Sequence, residues 1–197
     1  LDVIIPVYHP DEKLHRLLHG IERQTCQPEH LFLLHTAAKG ASTNLDWAIP
    51  ESLQKQAKVI RIEKSTFDHG GTRDMGIQLS DADVMLLMTQ DAVPLHGNLL
   101  ESLVKTLEQD EHIAVAYGRQ IPDRKSNVPE RYTRTFNYPA KSVVKSKADL
   151  PKLGIKTYFC SNVCAAYRRK IYQKLGGFEK HIIFNEDMIF AARAIQQ

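Results

Sequence analysis

Through residue 118 the chain alternates short apolar runs with longer stretches whose apolar residues recur at helical spacing. Val3-Ile4-Ile5-Pro6-Val7 is a continuous apolar run and predicts a buried strand. Pro10 and Asp11 then open a helix with Leu14, Leu17, Leu18 and Ile21 on one face. Leu31 to Leu34 and Lys58 to Ile62 predict a second and a third strand. His69-Gly70-Gly71 turns the chain into a helix carrying Met75, Ile77 and Leu79. Val84 to Met88 is apolar throughout, as expected of a central strand covered on both faces. After Pro94 a helix follows with Leu99, Leu100, Leu103, Val104 and Leu107 in phase, and Ile113 to Tyr117 predicts a fifth strand.

This alternation predicts a layered α/β fold with a mostly parallel sheet. Such sheets bind ligands beyond the carboxyl ends of their strands. That rule selects Tyr8-His9, His35-Thr36, Thr66 to Arg73 and Thr89-Gln90-Asp91. The pattern changes after residue 118. Residues 120–155 are polar and basic with little periodicity, and 156–169 predict extended segments. Ile171 to Leu175 predicts a short helix stopped by Gly176-Gly177. Asn185 to Gln197 predicts a final helix with Glu186 and Asp187 in its first turn, where they suit the helix dipole.

Composition narrows the class. With 43% hydrophobic and 25% charged residues in 197, the chain is neither disordered nor a collagen or disulfide scaffold. A chain of this length buries about 70% of its unfolded surface and forms one core. No run approaches the ~20 apolar residues of a membrane span. No basic leader precedes Leu1-Asp2, and a cytoplasmic protein with reduced Cys26, Cys160 and Cys164 is expected. The net charge of +3 is mild, but Arg119, Arg124, Lys125, Arg131, Arg134, Lys141, Lys145 and Lys147 are opposed only by Asp123 and Glu130. Such a stretch is either a solvated loop or the approach to an anionic partner, a phosphate or a membrane surface; the charge does not suggest nucleic acid.

The chemistry concentrates in three places. Asp91 follows the apolar strand Val84–Met88, where a hard carboxylate oxygen can hold Mg²⁺ or Mn²⁺ against substrate phosphates, or can merely cap the turn. Glu186-Asp187 offers a general base, or simply helix-start charge. His69-Gly70-Gly71-Thr72-Arg73 brings glycine backbone and a guanidinium that could meet a phosphate, without matching a P-loop or dinucleotide fingerprint. No HExxH or GxSxG is present, and the lone Trp47 reads as a packing residue.

Taken in order, these segments resemble the inverting GT-A glycosyltransferases of family 2. Val3-Ile4-Ile5-Pro6-Val7-Tyr8 is similar to that family's first strand, and Phe67 to Gly76 to its segment ending in Arg-Asn-x-Gly. Thr89-Gln90-Asp91-Ala92 stands where the family carries Asp-x-Asp, and its form resembles the rhamnosyltransferase branch. Tyr117 to Pro122, Phe136-Asn137-Tyr138-Pro139 and Ser161-Asn162 are similar to segments of that branch. Gly176-Gly177-Phe178 and Asn185-Glu186-Asp187-Met188 match Gly-Gly-Phe and Glu-Asp motifs.

The resemblance implies a Rossmann-like GT-A domain, a three-layer α/β/α sandwich over 1–197, with a nucleotide-sugar half at 1–118 and an acceptor half at 119–197. Pro6, Val7 and Tyr8 would line the base pocket; His69 and Arg73 would approach the diphosphate, with Gln90 beside them; Asp91 would hold the metal. Asp187 would be the base, Glu186 would position the acceptor, and Arg119, Gln120, Ser161 and Asn162 would face sugar or acceptor. The implied reaction moves a sugar from a dTDP- or UDP-sugar donor, rhamnose from dTDP-rhamnose in particular, to a cell-surface polysaccharide or lipid-linked glycan near the inner membrane face. The chain departs from the pattern at Leu34 to Lys39, which lacks an acidic base-reading stretch, at Gln90 and at Asp74, where an acid close to a diphosphate must be paired or turned away. It also stops soon after the Glu-Asp motif, as a truncated enzyme would. A nucleotidyltransferase, which would need a Gly-rich loop where Tyr8-His9-Pro10 stands, and a non-catalytic nucleotide- or carbohydrate-binding domain are the alternatives.

Overall fold

The computed structural model describes residues 1–123 and 126–197. Six strands form one sheet: β1 (Asp2–Tyr8), β2 (His30–Ala37), β3 (Ala57–Glu63), β4 (Val84–Met88), β5 (Val115–Tyr117) and β6 (Cys164–Arg168), in the order β3-β2-β1-β4-β6-β5. The pairings among β1, β2, β3 and β4 are parallel; β6 runs antiparallel to both β4 and β5. The mostly parallel sheet holds.

Strand periodicity sorts the core into two halves. Val3, Ile5, Val7, Leu31, Leu33, Leu86 and Met88 face one side, where α1 (Glu12–Glu22) buries Leu14, Leu17, Leu18 and Ile21, and where the third helix of the chain buries Leu100, Leu103 and Leu107. Ile4, Phe32, Leu34, Met85 and Leu87 face the other side. There α2 (His69–Gln78) brings Ile77, and the later helices bring Tyr172 and Phe190. Helices on both faces of one sheet make the three layers.

Both helix starts are capped as the sequence allows. The Asp11 carboxylate accepts from the Lys13 backbone N–H at 2.9 Å, and Asp68 accepts from that of Gly71 at 2.6 Å. Then come α3 (Leu99–Glu108), α4 (Val128–Asn137), α5 (Leu150–Leu153), α6 (Arg169–Lys174) and α7 (Glu186–Gln196).

Three expectations need correction. The weakly periodic stretch 120–155 holds α4, which buries no residue, although Val128, Tyr132 and Phe136 share one exposed face; its start is written in Asn127, Pro129 and Glu130, with the Asn127 side chain accepting from the Glu130 N–H at 2.9 Å. Of the extended segments expected over 156–169, only β6 is a strand, because Gly154–Tyr158 closes into a 3-10 turn. Trp47 does not pack inside: it is 51% exposed. Arg124 and Lys125 of the basic stretch lie outside the described residues.

Candidate active site

The sheet order reverses between β1 and β4, and the crevice beyond their carboxyl ends is where an open α/β sheet offers a ligand site. Gln90 closes the floor of that crevice. Its carbonyl accepts from the Tyr8 backbone N–H at 2.8 Å, and its NH₂ donates to the Tyr8 carbonyl at 2.9 Å. An amide can make both bonds; a carboxylate, which only accepts, could make one. This pairing accounts for Gln90 where an acid was expected. The alternation of β1 puts the Val7 side chain in the core, while Pro6 is half-buried and Tyr8 exposed at the strand's carboxyl end.

Asp91 is exposed just past β4, with Oδ1 accepting from the Thr89 hydroxyl at 2.7 Å. Among the described residues no group of three or more His, Cys, Asp or Glu converges as metal ligands. A hard cation that takes one carboxylate and completes its shell with phosphate oxygens and water fits Asp91; a closed protein cage does not.

Across the crevice, an open recess of about 260 Å³ is lined by His69, Arg73, Thr89, Ser161, Asn162, Glu186 and Asp187. Five of these form one network. Arg73 Nη1 lies 3.1 Å from Glu186 Oε1, and both residues are buried. The same guanidinium nitrogen donates to the His69 carbonyl at 3.0 Å. The Asn162 side chain donates to Glu186 Oε1 at 3.1 Å, and its backbone N–H donates to Asp187 Oδ2 at 2.9 Å. Behind them, the Tyr167 hydroxyl donates to Asn162 Oδ1 at 2.7 Å. A buried ion pair is costly to break on one side, and Arg73 Nε stands buried here without a hydrogen-bond partner.

Asp187 is half-buried at the first turn of α7. Burial raises its pKa, the Glu186 charge adds to the rise, and hydrogen bonds from the Asn162 and Met188 N–H groups oppose it. The result is a carboxylate more basic than usual, with a free lone pair on each oxygen.

The remaining expected residues divide. Gln120 donates to the Ser161 hydroxyl at 2.9 Å and so joins the recess. Arg119 is exposed and faces a different cavity of about 460 Å³ beside β5, where Tyr117, Tyr138 and Phe159 stack edge to face. Lys145 of the basic stretch is turned inward there: it donates to the Lys156 and Phe159 carbonyls, and burial lowers its pKa. The glycines of the His69–Arg73 segment serve packing: a Cβ on Gly70 would stand 2.0 Å from the Glu179 carbonyl oxygen. Asp74 is paired, as its position requires, with the Tyr172 hydroxyl at 2.8 Å, Gln78 at 2.9 Å and Lys180 at 3.3 Å. Tyr167 escaped sequence reasoning because nothing local distinguishes it from any buried strand residue.

Glycosyl transferase family 2 is the family whose model matches, over residues 2–176. The chain belongs to that family. Within it, the chain is 39% identical over 197 residues to the O-antigen chain rhamnosyltransferase RfbN of Salmonella typhimurium, covering all of this chain and 61% of that one. It is 36% identical to the O-antigen chain rhamnosyltransferase WbaN of Salmonella anatum, covering 98% of this chain and 60% of that one. The chain thus spans about three fifths of the length of the curated relatives it matches. Among solved structures, S. aureus TarS superposes with a TM-score of 0.70 at 17% identity, covering 98% of this chain and 33% of that one. The mannosyltransferase PcManGT from Pyrobaculum calidifontis, in complex with GDP-Man and Mn²⁺, superposes with a TM-score of 0.66 at 15% identity, over 98% of this chain and 51% of that one. These two likenesses establish the GT-A fold for this family 2 chain.

Proposed function

We propose that this chain carries the donor-binding and base-bearing part of an inverting glycosyltransferase that moves rhamnose from dTDP-rhamnose to a hydroxyl of a lipid-linked O-antigen glycan. Residues 1–118 form its nucleotide-sugar half and 119–197 its acceptor half. The relatives named as O-antigen chain rhamnosyltransferases support the choice of sugar and polymer. The observation that carries the reaction is Asp187, a carboxylate made more basic by burial and fixed by two backbone N–H groups at the edge of the recess.

In this reading Asp187 takes the proton of the acceptor hydroxyl as that oxygen bonds to the sugar's anomeric carbon. The bond from that carbon to the phosphate oxygen breaks on the opposite face, and the nucleoside diphosphate leaves with the electron pair. Glu186, tied to Arg73 and Asn162, acts through its neighbours: it fixes the guanidinium and the amide that shape the recess. Pro6 and Tyr8 lie against the nucleotide, and His69 and Arg73 face its diphosphate side. Ser161 and Gln120 meet the sugar or acceptor. Asp91 would hold the Mg²⁺ or Mn²⁺, which supplies charge stabilisation to the departing diphosphate.

The site of action follows from the acceptor. No helix among the described residues is long and apolar enough to cross a membrane, and Arg119, Lys141 and Lys147 are exposed beside the acceptor half. This supports work at the cytoplasmic membrane face, against an anionic lipid-linked glycan.

The test is transfer by the full-length protein with Mn²⁺ or Mg²⁺ and a panel of nucleotide sugars. Rhamnose transfer from dTDP-rhamnose, lost in Asp91→Ala and in Asp187→Asn, is the expected result. Turnover with no donor sinks the reading, and metal-independent nucleotide binding without turnover replaces it with a non-catalytic binding domain.

A further inference from the structure

On the outer face of α1, away from the recess, two histidines converge. His15 and His19 stand one helical turn apart, so their side chains share a face. Their Nε2 atoms are 3.1 Å apart. Each ring turns its other nitrogen to a carboxylate: His15 Nδ1 lies 3.4 Å from Glu12 Oε1, and His19 Nδ1 lies 2.9 Å from Glu22 Oε2. A carboxylate only accepts, so His19 Nδ1 carries the proton and its Nε2 keeps a lone pair. The two Nε2 atoms are within hydrogen-bond distance, so one proton shared between them satisfies both. A divalent cation in place of that proton would meet two nitrogen lone pairs.

We propose that His15 and His19 chelate a divalent transition metal through their two Nε2 atoms, with Glu12 and Glu22 as the carboxylates that fix the ring tautomers. A histidine ligand backed by a carboxylate on its far nitrogen is the usual arrangement at such centres. The spacing also selects among metals. Two metal–nitrogen bonds of about 2.1 Å that span this gap subtend about 95°, near the right angle of adjacent positions in a tetragonal shell and short of the tetrahedral angle. Imidazole nitrogens in that geometry suit Cu²⁺ and Ni²⁺ over Zn²⁺. Water completes the shell, since both side chains are over a third exposed.

The site would also brace the fold. Glu22 accepts from the Ser52 hydroxyl as well as from His19, so one carboxylate links α1 to the turn Glu51–Leu53. A metal bound to the native chain alone raises its melting temperature with metal concentration.

The experiment is calorimetric titration of CuCl₂ and NiCl₂ into the purified chain in a non-coordinating buffer near neutral pH, with electron paramagnetic resonance of the Cu²⁺ form. One equivalent of Cu²⁺ on two equatorial nitrogens is expected, weaker by at least tenfold in His15→Gln and in His19→Gln. Glu22→Gln should weaken it about tenfold, the usual effect of removing such a backing carboxylate. Affinity should fall as the pH is lowered, because protons compete with the metal for its ligands. Equal binding by wild type and the His15→Gln/His19→Gln double variant would overturn the site, since seven other histidines could then account for the metal. Absence of any stoichiometric binding by wild type would overturn it too.

Discussion

The Gln90 side chain and the Tyr8 backbone form a closed pair of hydrogen bonds, 2.8 Å and 2.9 Å, that locks the ends of β4 and β1 together at the sheet's switch point. The pair needs one donor and one acceptor on the side chain. Gln90→Glu keeps the acceptor and sets a carboxylate oxygen against the Tyr8 carbonyl. The loss should be about 1 kcal/mol, seen as a melting temperature lower by about 2–4 °C. The donor KM should rise as well, because Tyr8 is no longer held at the crevice. A Gln90→Glu variant that melts with wild type and keeps its donor KM shows that the pair carries no weight.

Asp187 links burial to pH. Its folded pKa is raised, chiefly by desolvation. The native chain therefore holds the proton more tightly than the unfolded chain, and the group costs stability once pH is above both values. That cost is relieved as pH falls through the raised pKa, while activity, which in the proposed mechanism needs the carboxylate, is expected to be lost over the same window. The acid limb of kcat/KM should sit above the ordinary Asp value of about 3.9. A limb at or below that value removes Asp187 as the base.

The legible parts of this chain are those whose burial repeats with a period. β1, β2 and β4 are covered on both faces, so they stand out as unbroken apolar runs. α1 and α3 show their buried stripes for the same reason. α4 buries nothing: its short Val128, Tyr132 and Phe136 stripe stays exposed among charged residues, and Asn127, Pro129 and Glu130 mark its start. In the site, Asp91, Asn162 and Glu186-Asp187 could be found as short motifs because each lies in a few consecutive residues. What no motif encodes is who holds whom. The Arg73–Glu186 pair, the Gln90–Tyr8 pair and the Tyr167–Asn162 bond each join residues from different elements, and only the fold brings them together.

Tyr167 is buried in β6 and reaches the recess only through Asn162. Tyr167→Phe keeps the ring and its edge-to-face contacts with Phe178 and Phe190 while removing the hydroxyl. The Asn162 carbonyl, itself buried, then lacks its donor, at a cost of about 1–3 kcal/mol. The amide is freed to turn, and its contact with Glu186 weakens. We expect a fall in kcat with the donor KM little changed and a shifted acid limb, read from full pH–rate profiles. A purely structural tyrosine would lower stability and leave the pH profile in place.

Gly70 tests the packing that sets the start of α7. It stands in the first turn of α2, where helix propensity alone would favour alanine by about 1 kcal/mol. A Cβ there would lie 2.0 Å from the Glu179 carbonyl oxygen, which is backbone and has no rotamer to yield. The segment it would push is anchored on both sides: the His181 N–H donates to Asp68 at 3.0 Å, and Arg193 of α7 pairs with Glu179. Relief of the clash must therefore strain those contacts or move Asp187 at the head of α7. Gly70→Ala should lose about 1–3 kcal/mol in urea unfolding, against the sign that propensity predicts. It should also reduce transfer by more than that stability loss explains at temperatures where the chain stays folded. A Gly70→Ala chain as stable as wild type would show that the 178–185 segment does not rest on α2.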